Sequence, residues 1–197
     1  MLLDSLKRYN VILASNSPRR RELLADLGIE FQVRTMSGID ESYPDSLPVL
    51  EIAEYISRKK ALAYQAEMDS DELIITADTV VILGDEVLGK PTDNEDACRM
   101  LRELSGKTHK VVTGVTIVTA AATRSFSAVS DVEFAPLSDE DIQYYVENYK
   151  PLDKAGAYGI QEWIGCMGVR HINGSFYNVM GLPLHRLYSE LERMLDQ

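Results

Sequence analysis

Cysteine is nearly absent from this 197-residue chain. Cys98 and Cys166 stand far apart with no CxxC spacing, which argues against a disulfide framework and against a thiolate zinc site. Both read most simply as buried apolar residues. Histidine is scarce too. His109, His171 and His185 show neither HExxH nor HxH spacing, so any metal should be held by carboxylates, which favours magnesium or manganese. No apolar run approaches the ~18 residues of a membrane span. The first eight residues carry Asp4, Lys7 and Arg8, unlike a signal peptide, and the expectation is a soluble cytoplasmic protein. Basic side chains are the minority, 20 against 31 acidic ones, for a formal charge of −11. This balance argues against a protein whose main work is gripping a nucleic-acid polymer, which needs a basic face. A small anion stays open as a ligand, provided the few cations gather in one place.

What is present is ordinary for a globular protein: 45% hydrophobic and 26% charged residues, too apolar for disorder. The length suits one domain or two small lobes sharing a sheet. Residues 11–14 read as a buried strand leading into Ser17 and Pro18, an N-cap and first helical residue; that helix stops at Gly28. Residues 31–34 suggest a second strand, followed by a polar loop through Asp40, Glu41 and Pro44. Residues 48–68 read as a long helix with Ile52, Ile56, Ala63 and Ala66 inward. Residues 73–83 form the strongest strand, turned at Gly84-Asp85 into a return strand, 86–88. A helix over 93–104, strands over 111–119 and 126–134, and a helix capped by Ser138 and Asp141 follow. Residues 156–181 should hold loops and short strands, and 183–195 an amphipathic helix. No repeat, low-complexity segment or linker interrupts this order. Interleaved helices, strands and hairpins predict an α/β fold with a mixed sheet.

Two segments imitate a phosphate-binding P-loop. Gly84 to Lys90 spells G-x-x-x-x-G-K, yet Pro91 stands where Ser or Thr should follow, and the first glycine sits in a hairpin. Gly106-Lys107-Thr108 has its helix before it rather than after. Other residues carry chemistry better. Ser15-Asn16-Ser17-Pro18-Arg19-Arg20-Arg21 puts three cations in the first turn of a helix, where the macrodipole disfavours them. This is either a solvated basic turn or an anion site built from backbone N–H groups, hydroxyls and guanidinium forks; in so acidic a chain the second is favoured. Asp78 lies inside the most apolar strand, where an unpaired carboxylate would cost several kcal/mol. It is a frayed or structurally paired residue, or else a metal ligand or general base. Lys60 and Lys90 are its candidate counter-charges, although Lys60 beside Lys59 also fits a solvated helix face. Glu41 means little alone, but with Asp78 it could complete a hard-cation site.

Six motifs in register resemble one family. Leu13-Ala14-Ser15-Asn16-Ser17-Pro18-Arg19-Arg20, Gly38-Ile39-Asp40-Glu41, Ala77-Asp78-Thr79, Gly89-Lys90-Pro91, Asp153-Lys154-Ala155-Gly156-Ala157-Tyr158-Gly159-Ile160-Gln161 and Val179-Met180-Gly181-Leu182-Pro183 are similar to those of the Maf nucleoside triphosphate pyrophosphatases, from Leu13 to about Leu187. The resemblance implies an inosine-triphosphate-pyrophosphatase-like fold, with a long mixed sheet, flanking helices and a central cleft, over a single 1–197 domain of two lobes. It implies hydrolysis of a nucleoside triphosphate to the monophosphate and pyrophosphate, assisted by Mg²⁺ or Mn²⁺. Asp78 matches the family's proton acceptor, Glu41 an acidic residue at the metal site with Asp78, and Lys60 and Lys90 the cleft lysines. Ser15, Ser17, Arg19, Arg20 and Lys154 are then expected on the substrate. The branch acting on dTTP and UTP has Arg, Thr and Gln where this chain has Arg19, Thr79 and Gln161, while the branch acting on 7-methyl-GTP tends to have other residues there. A Gln side chain can pair with the imide edge of uracil or thymine. Asp78 and Thr79 are strand neighbours and point to opposite faces unless the strand bulges or ends there. The expected partner is a small nucleotide, with a homodimer possible. The same chemistry on a modified nucleotide, or a non-catalytic nucleotide sensor acting in cell division, are the alternative readings.

Overall fold

Fifteen elements, eight helices and seven strands, are distributed over residues 1–195, which the computed structural model describes; the last two positions of the expected 1–197 domain lie outside the described residues. The chain opens with α1 (Leu2–Leu6), then β1 (Asn10–Leu13), α2 (Pro18–Asp26), β2 (Gln32–Val33), α3 (Ile52–Gln65), β3 (Glu72–Leu83) and β4 (Glu86–Leu88). It continues with α4 (Asn94–Leu104), β5 (Thr108–Thr119), β6 (Thr123–Phe134), α5 (Asp139–Tyr149), α6 (Trp163–Gly168), β7 (Val169–Asn173), α7 (Phe176–Met180) and α8 (Leu184–Leu195). The strand order is β2-β1-β3-β5-β6-β7, with β4 paired to β3. β1 runs parallel to both β2 and β3, aligning Ile12 with Ile74, whereas β4 on β3 and β7 on β6 are antiparallel. This is the mixed sheet that interleaved helices and hairpins predict.

The chain divides into two compact units. The first comprises Met1–Asp78, Thr113–Ala128 and the stretch from Gly181. The parallel pair β1 and the first half of β3 is buried on both faces, and both are nearly unbroken apolar runs; Ile12, Leu13, Ile74 and Ile75 are fully buried. α1 packs on α8, burying Leu2 and Leu6, one helical turn apart, on its inner face. The second unit comprises Thr79–Val112 and Val129–Met180. Its core gathers Leu101, Leu104, Val111, Phe134 and Tyr145 from α4, β5, β6 and α5, the helices being amphipathic and facing inward.

Local structure departs from the sequence reading in five places. α1 was not anticipated. β2 is only two exposed residues. The long helix begins as a 3₁₀ turn at Val49–Glu51 and ends at Gln65, so Ala66 is an exposed cap residue rather than an inward one. The glycine-rich segment expected to hold loops and strands also contains α6 and α7. Cys166 is exposed and Cys98 only partly buried, against the expectation that both lie in the core. At the start of α5, Ser138 Oγ accepts from the Asp141 N–H at 3.1 Å and donates to the Asp141 carboxylate at 2.6 Å.

Candidate functional site

The first unit places one set of its charged residues, Arg20, Glu41, Lys60 and Asp78, about the middle of β3. After Leu13 the chain turns through Ser15, whose Oγ accepts from the Ser17 N–H at 3.2 Å. Ser17 caps α2 in an extended conformation, its side chain accepting from the Arg20 N–H, and Pro18 follows at N1. The anticipated basic turn therefore forms, and it separates its arginines by role. Arg21 is exposed and Arg19 partly so. Arg20 reaches back into the fold, donating from Nε to the Gly181 carbonyl at 2.8 Å and from Nη1 to the Ala77 carbonyl at 3.0 Å. Burial pulls the Arg20 guanidinium below its ordinary value, and the Asp78 charge opposes that shift. One side chain thus ties the α2 entrance to the backbone just before Asp78.

Asp78 and Thr79 are both partly exposed where the rest of β3 around them is buried. Lys60, near the middle of α3, places Nζ 2.8 Å from Asp78 Oδ1 and 3.1 Å from Glu41 Oε1. Asp78 is therefore a paired residue in a strand that would otherwise reject it, and Lys60 is not a solvated lysine. Its neighbour Lys59 holds the loop carrying Glu41, donating to Asp40 Oδ2 at 2.7 Å and to the Ser42 carbonyl at 2.8 Å. Asp40 also accepts from the Ser42 N–H and hydroxyl. The Lys59 and Ser42 hydrogen bonds hold its carboxyl far below the usual range. Lys59 and Asp40 brace the loop that carries Glu41, contacts that sequence reasoning missed; a Lys-Lys pair opposite an Asp-Glu pair was the available signal.

α3 is itself fixed by polar contacts. Ser57 and Thr116 share a 2.8 Å hydroxyl contact, Thr76 donates to the Ser57 carbonyl at 2.7 Å, and Thr116 shares a further contact with Ser125. Glu41 and Asp78 together converge carboxylate oxygens on one cation. That donor set fits a hard divalent ion, which commonly takes one or two carboxylates alongside water and phosphate. Among the described residues no group of three or more His, Cys, Asp or Glu forms a metal cluster, so further ligands would have to come from water and substrate.

The second unit holds Thr79, Lys90, Lys154 and Gln161. Lys90 is exposed beside buried Pro91, and the Gly89 carbonyl before it accepts from the Gly156 N–H at 3.0 Å. Gly156 has φ +67° and sits against Val81, where any Cβ would fall 2.9 Å from a methyl, so only glycine suits this approach. Lys154 is 8% exposed, with Nζ 2.8 Å from Asp153 Oδ1 and 3.3 Å from Glu162 Oε1. Gln161 is exposed. Tyr145 is fully buried, stacked on Tyr149, with its hydroxyl donating to Glu162 Oε2 and accepting from the Gly159 N–H at 3.0 Å. Burial, reinforced by the Glu162 contact, pushes the Tyr145 phenol far above its usual value. Glu162 and Tyr145 carried no recognisable signal in the sequence.

Comparison with known proteins finds relatives over nearly the whole chain. A family model described as Maf-like protein matches residues 10–194. A Phocaeicola vulgatus protein named dTTP/UTP pyrophosphatase is 60% identical over 193 residues, covering 98% of this chain and all of its own. A Bacteroides thetaiotaomicron protein of the same name is 58% identical over the same span and coverage. A Cytophaga hutchinsonii one is 50% identical over 196 residues, covering all of this chain and 89% of its own. Among solved structures, the Staphylococcus aureus Ham1 protein aligns over 94% of this chain and 99% of its own, with a TM-score of 0.55 at 16% identity. That last likeness is one of fold.

Proposed function

This chain belongs to the Maf-like protein family, and from that premise we propose that it hydrolyses dTTP and UTP to the nucleoside monophosphate and pyrophosphate. The observation that carries the reading is Lys60 held between Asp78 and Glu41, in a family whose relatives bear the name dTTP/UTP pyrophosphatase. Glu41 and Asp78 would hold Mg²⁺ or Mn²⁺, whose chemistry when bound is to neutralise charge on the phosphate oxygens. Asp78 accepts a proton from the water that attacks the α-phosphorus, and the α–β anhydride bond breaks with pyrophosphate leaving. Lys60 keeps the Asp78 carboxylate oriented and balances the charge of the polyphosphate. Ser15, Ser17, Arg19 and Lys90 bind phosphate oxygens, while Thr79 and Gln161 meet the pyrimidine. Arg20, with two donors on backbone carbonyls, steadies the strand that carries Asp78. Catalysis is then mostly positioning and charge neutralisation.

A panel of nucleoside triphosphates, assayed for pyrophosphate release with and without Mg²⁺ or Mn²⁺, tests the proposal. Release from dTTP and UTP ahead of the purine nucleotides is expected. Tight nucleotide binding with no release would overturn it in favour of a sensor, and preferential release from a modified purine would overturn the substrate assignment.

A further inference from the structure

Lys59 and Lys60 are neighbours on α3 with different kinds of partner. Lys59 is committed to the loop that precedes the helix: its ammonium donates to Asp40 Oδ2 at 2.7 Å and to the Ser42 carbonyl at 2.8 Å. Asp40 closes the same loop on itself, accepting from the Ser42 N–H at 2.9 Å and from its hydroxyl at 2.8 Å. Among the described residues Lys60 is held by carboxylates alone, Asp78 Oδ1 at 2.8 Å and Glu41 Oε1 at 3.1 Å. Those two grips are unequal. Asp78 lies in β3 with 15% of its side chain exposed, whereas Glu41 lies in the loop with 54% exposed, so the Glu41 contact is the longer, wetter and weaker one. Arg20, the other cation beside Asp78, is anchored on the carbonyls of Ala77 and Gly181. Lys60 is therefore the cation built to change partners.

We propose that Lys60 competes with the divalent ion for Glu41, and so restrains metal binding until the polyphosphate of a nucleotide draws one of its ammonium donors away. This rests on the reading of Glu41 and Asp78 as the metal's carboxylates. An ammonium and a divalent cation are both drawn to carboxylate oxygens, and they repel each other where they share them. A lysine is suited to yield, because its charge is compact and carries three donors on a flexible stem. It keeps Asp78 on one donor while another turns from Glu41 to phosphate. Lys60 thus orients Asp78 throughout and changes only its second partner. Glu41 stays in place during the exchange, since the ties of Lys59 to Asp40 and Ser42 do not depend on Lys60. By linkage, a nucleotide that takes Lys60 tightens the metal, and the metal tightens the nucleotide by the same factor.

The test is the dissociation constant of Mn²⁺ alone, without nucleotide, read by titration calorimetry or by the paramagnetic resonance of the free ion. Lys60→Gln removes the charge and keeps a donor for a carboxylate; Lys60→Met removes both. Each should bind Mn²⁺ about 10-fold more tightly than the wild type, although turnover falls. Lys59→Met, which removes an equal charge one residue away, should not tighten binding. In a Glu41→Gln background, Lys60→Gln should change Mn²⁺ affinity by less than about 2-fold, because the contested carboxylate is gone. Urea midpoints establish that the variants are folded, and Lys60→Gln carries the test if Lys60→Met does not fold. Unchanged or weaker Mn²⁺ binding by Lys60→Gln would overturn the proposal with the pyrophosphatase reading intact. An equal tightening in Lys59→Met, or in the Glu41→Gln background, would show a general effect of charge and overturn it as well. Wild-type Mn²⁺ binding that neither Glu41→Gln nor Asp78→Asn weakens would remove the carboxylate pair from the metal, and this proposal with it.

Discussion

Asp78 keeps 15% of its side chain exposed, with a lysine ammonium 2.8 Å from one oxygen. A carboxylate so placed is open to water and held in one orientation by an ammonium, which suits it to act as a general base. Asp78→Asn is therefore expected to lose at least about 100-fold in turnover while equilibrium binding of dTTP persists, since the phosphate contacts we propose are made by other residues. Steady-state kinetics beside a binding titration checks this, and substantial turnover by the variant with Mn²⁺ would exclude Asp78 as the base. The two arginines of the helix entrance should separate in the same assays. Arg19→Ala should raise the Michaelis constant more than it lowers turnover. Arg20→Ala should instead cost about 2–3 kcal/mol of folding stability, because it removes two charge-assisted hydrogen bonds and strands the carbonyls of Ala77 and Gly181; urea unfolding reads that loss. Asp78 and the basic turn were legible because each breaks a local rule, a charge in an apolar strand or cations at a helix N-terminus, whereas Lys60, on an ordinary helix face, was singled out by the family resemblance alone. Tyr145 and Glu162 were not legible. A tyrosine on an amphipathic helix and a glutamate in a loop break no rule until the fold brings them together.

α3 carries both Lys59 and Lys60, so its seat on the sheet fixes the loop with Glu41 and the partner of Asp78 together. That seat is unusually close at Gly114 in β5. A Cβ there would lie 2.2 Å from the Glu54 nitrogen and 2.3 Å from the Ala53 carbonyl carbon, both rigid backbone atoms. Helix and strand are in direct backbone contact, and nothing flexible can yield. Gly114→Ala should cost about 3 kcal/mol or more by overpacking and reduce activity as α3 lifts, readable in a urea titration and in turnover of the folded fraction. The strong elements, α3, β3, β5 and α5 among them, were legible from hydrophobic period and caps. α1, α6 and α7 were not. Helices of five or six residues have too few internal hydrogen bonds to form on propensity, and it is packing, such as that of α1 on α8, that holds them. Gly114 was silent for the same reason, since a close approach between distant segments leaves no local pattern.

At the scale of the whole molecule, a charge of −11 and the placement of Lys60 and Arg20 among carboxylates and backbone carbonyls are compatible because a few cations set together do not change the acidic balance of the chain. The protein should bind nucleotides yet show no retention on duplex DNA at physiological salt. Acidity also frames how the fold responds to pH, and there one histidine dominates above pH 5. His109 is buried, in edge contact with Phe134 and Tyr158, and Nε2 shares a 2.6 Å hydrogen bond with the Tyr158 hydroxyl. Burial pushes it down from 6.5 to about 4, whereas His171 and His185 are exposed. Because the folded-state value lies below the unfolded one, the unfolded chain binds the extra proton first. The neutral imidazole costs nothing above pH 6.5; stability then declines as pH falls toward 4 and loses no more to this group below that. By pH 5 the loss is about 2 kcal/mol, before the carboxylates begin to titrate in number. His109→Gln, which keeps a hydrogen-bonding partner for Tyr158 but cannot charge, should flatten the pH dependence of the urea midpoint between 6.5 and 5. An unchanged slope in that variant would assign the acid sensitivity to the carboxylate pairs instead.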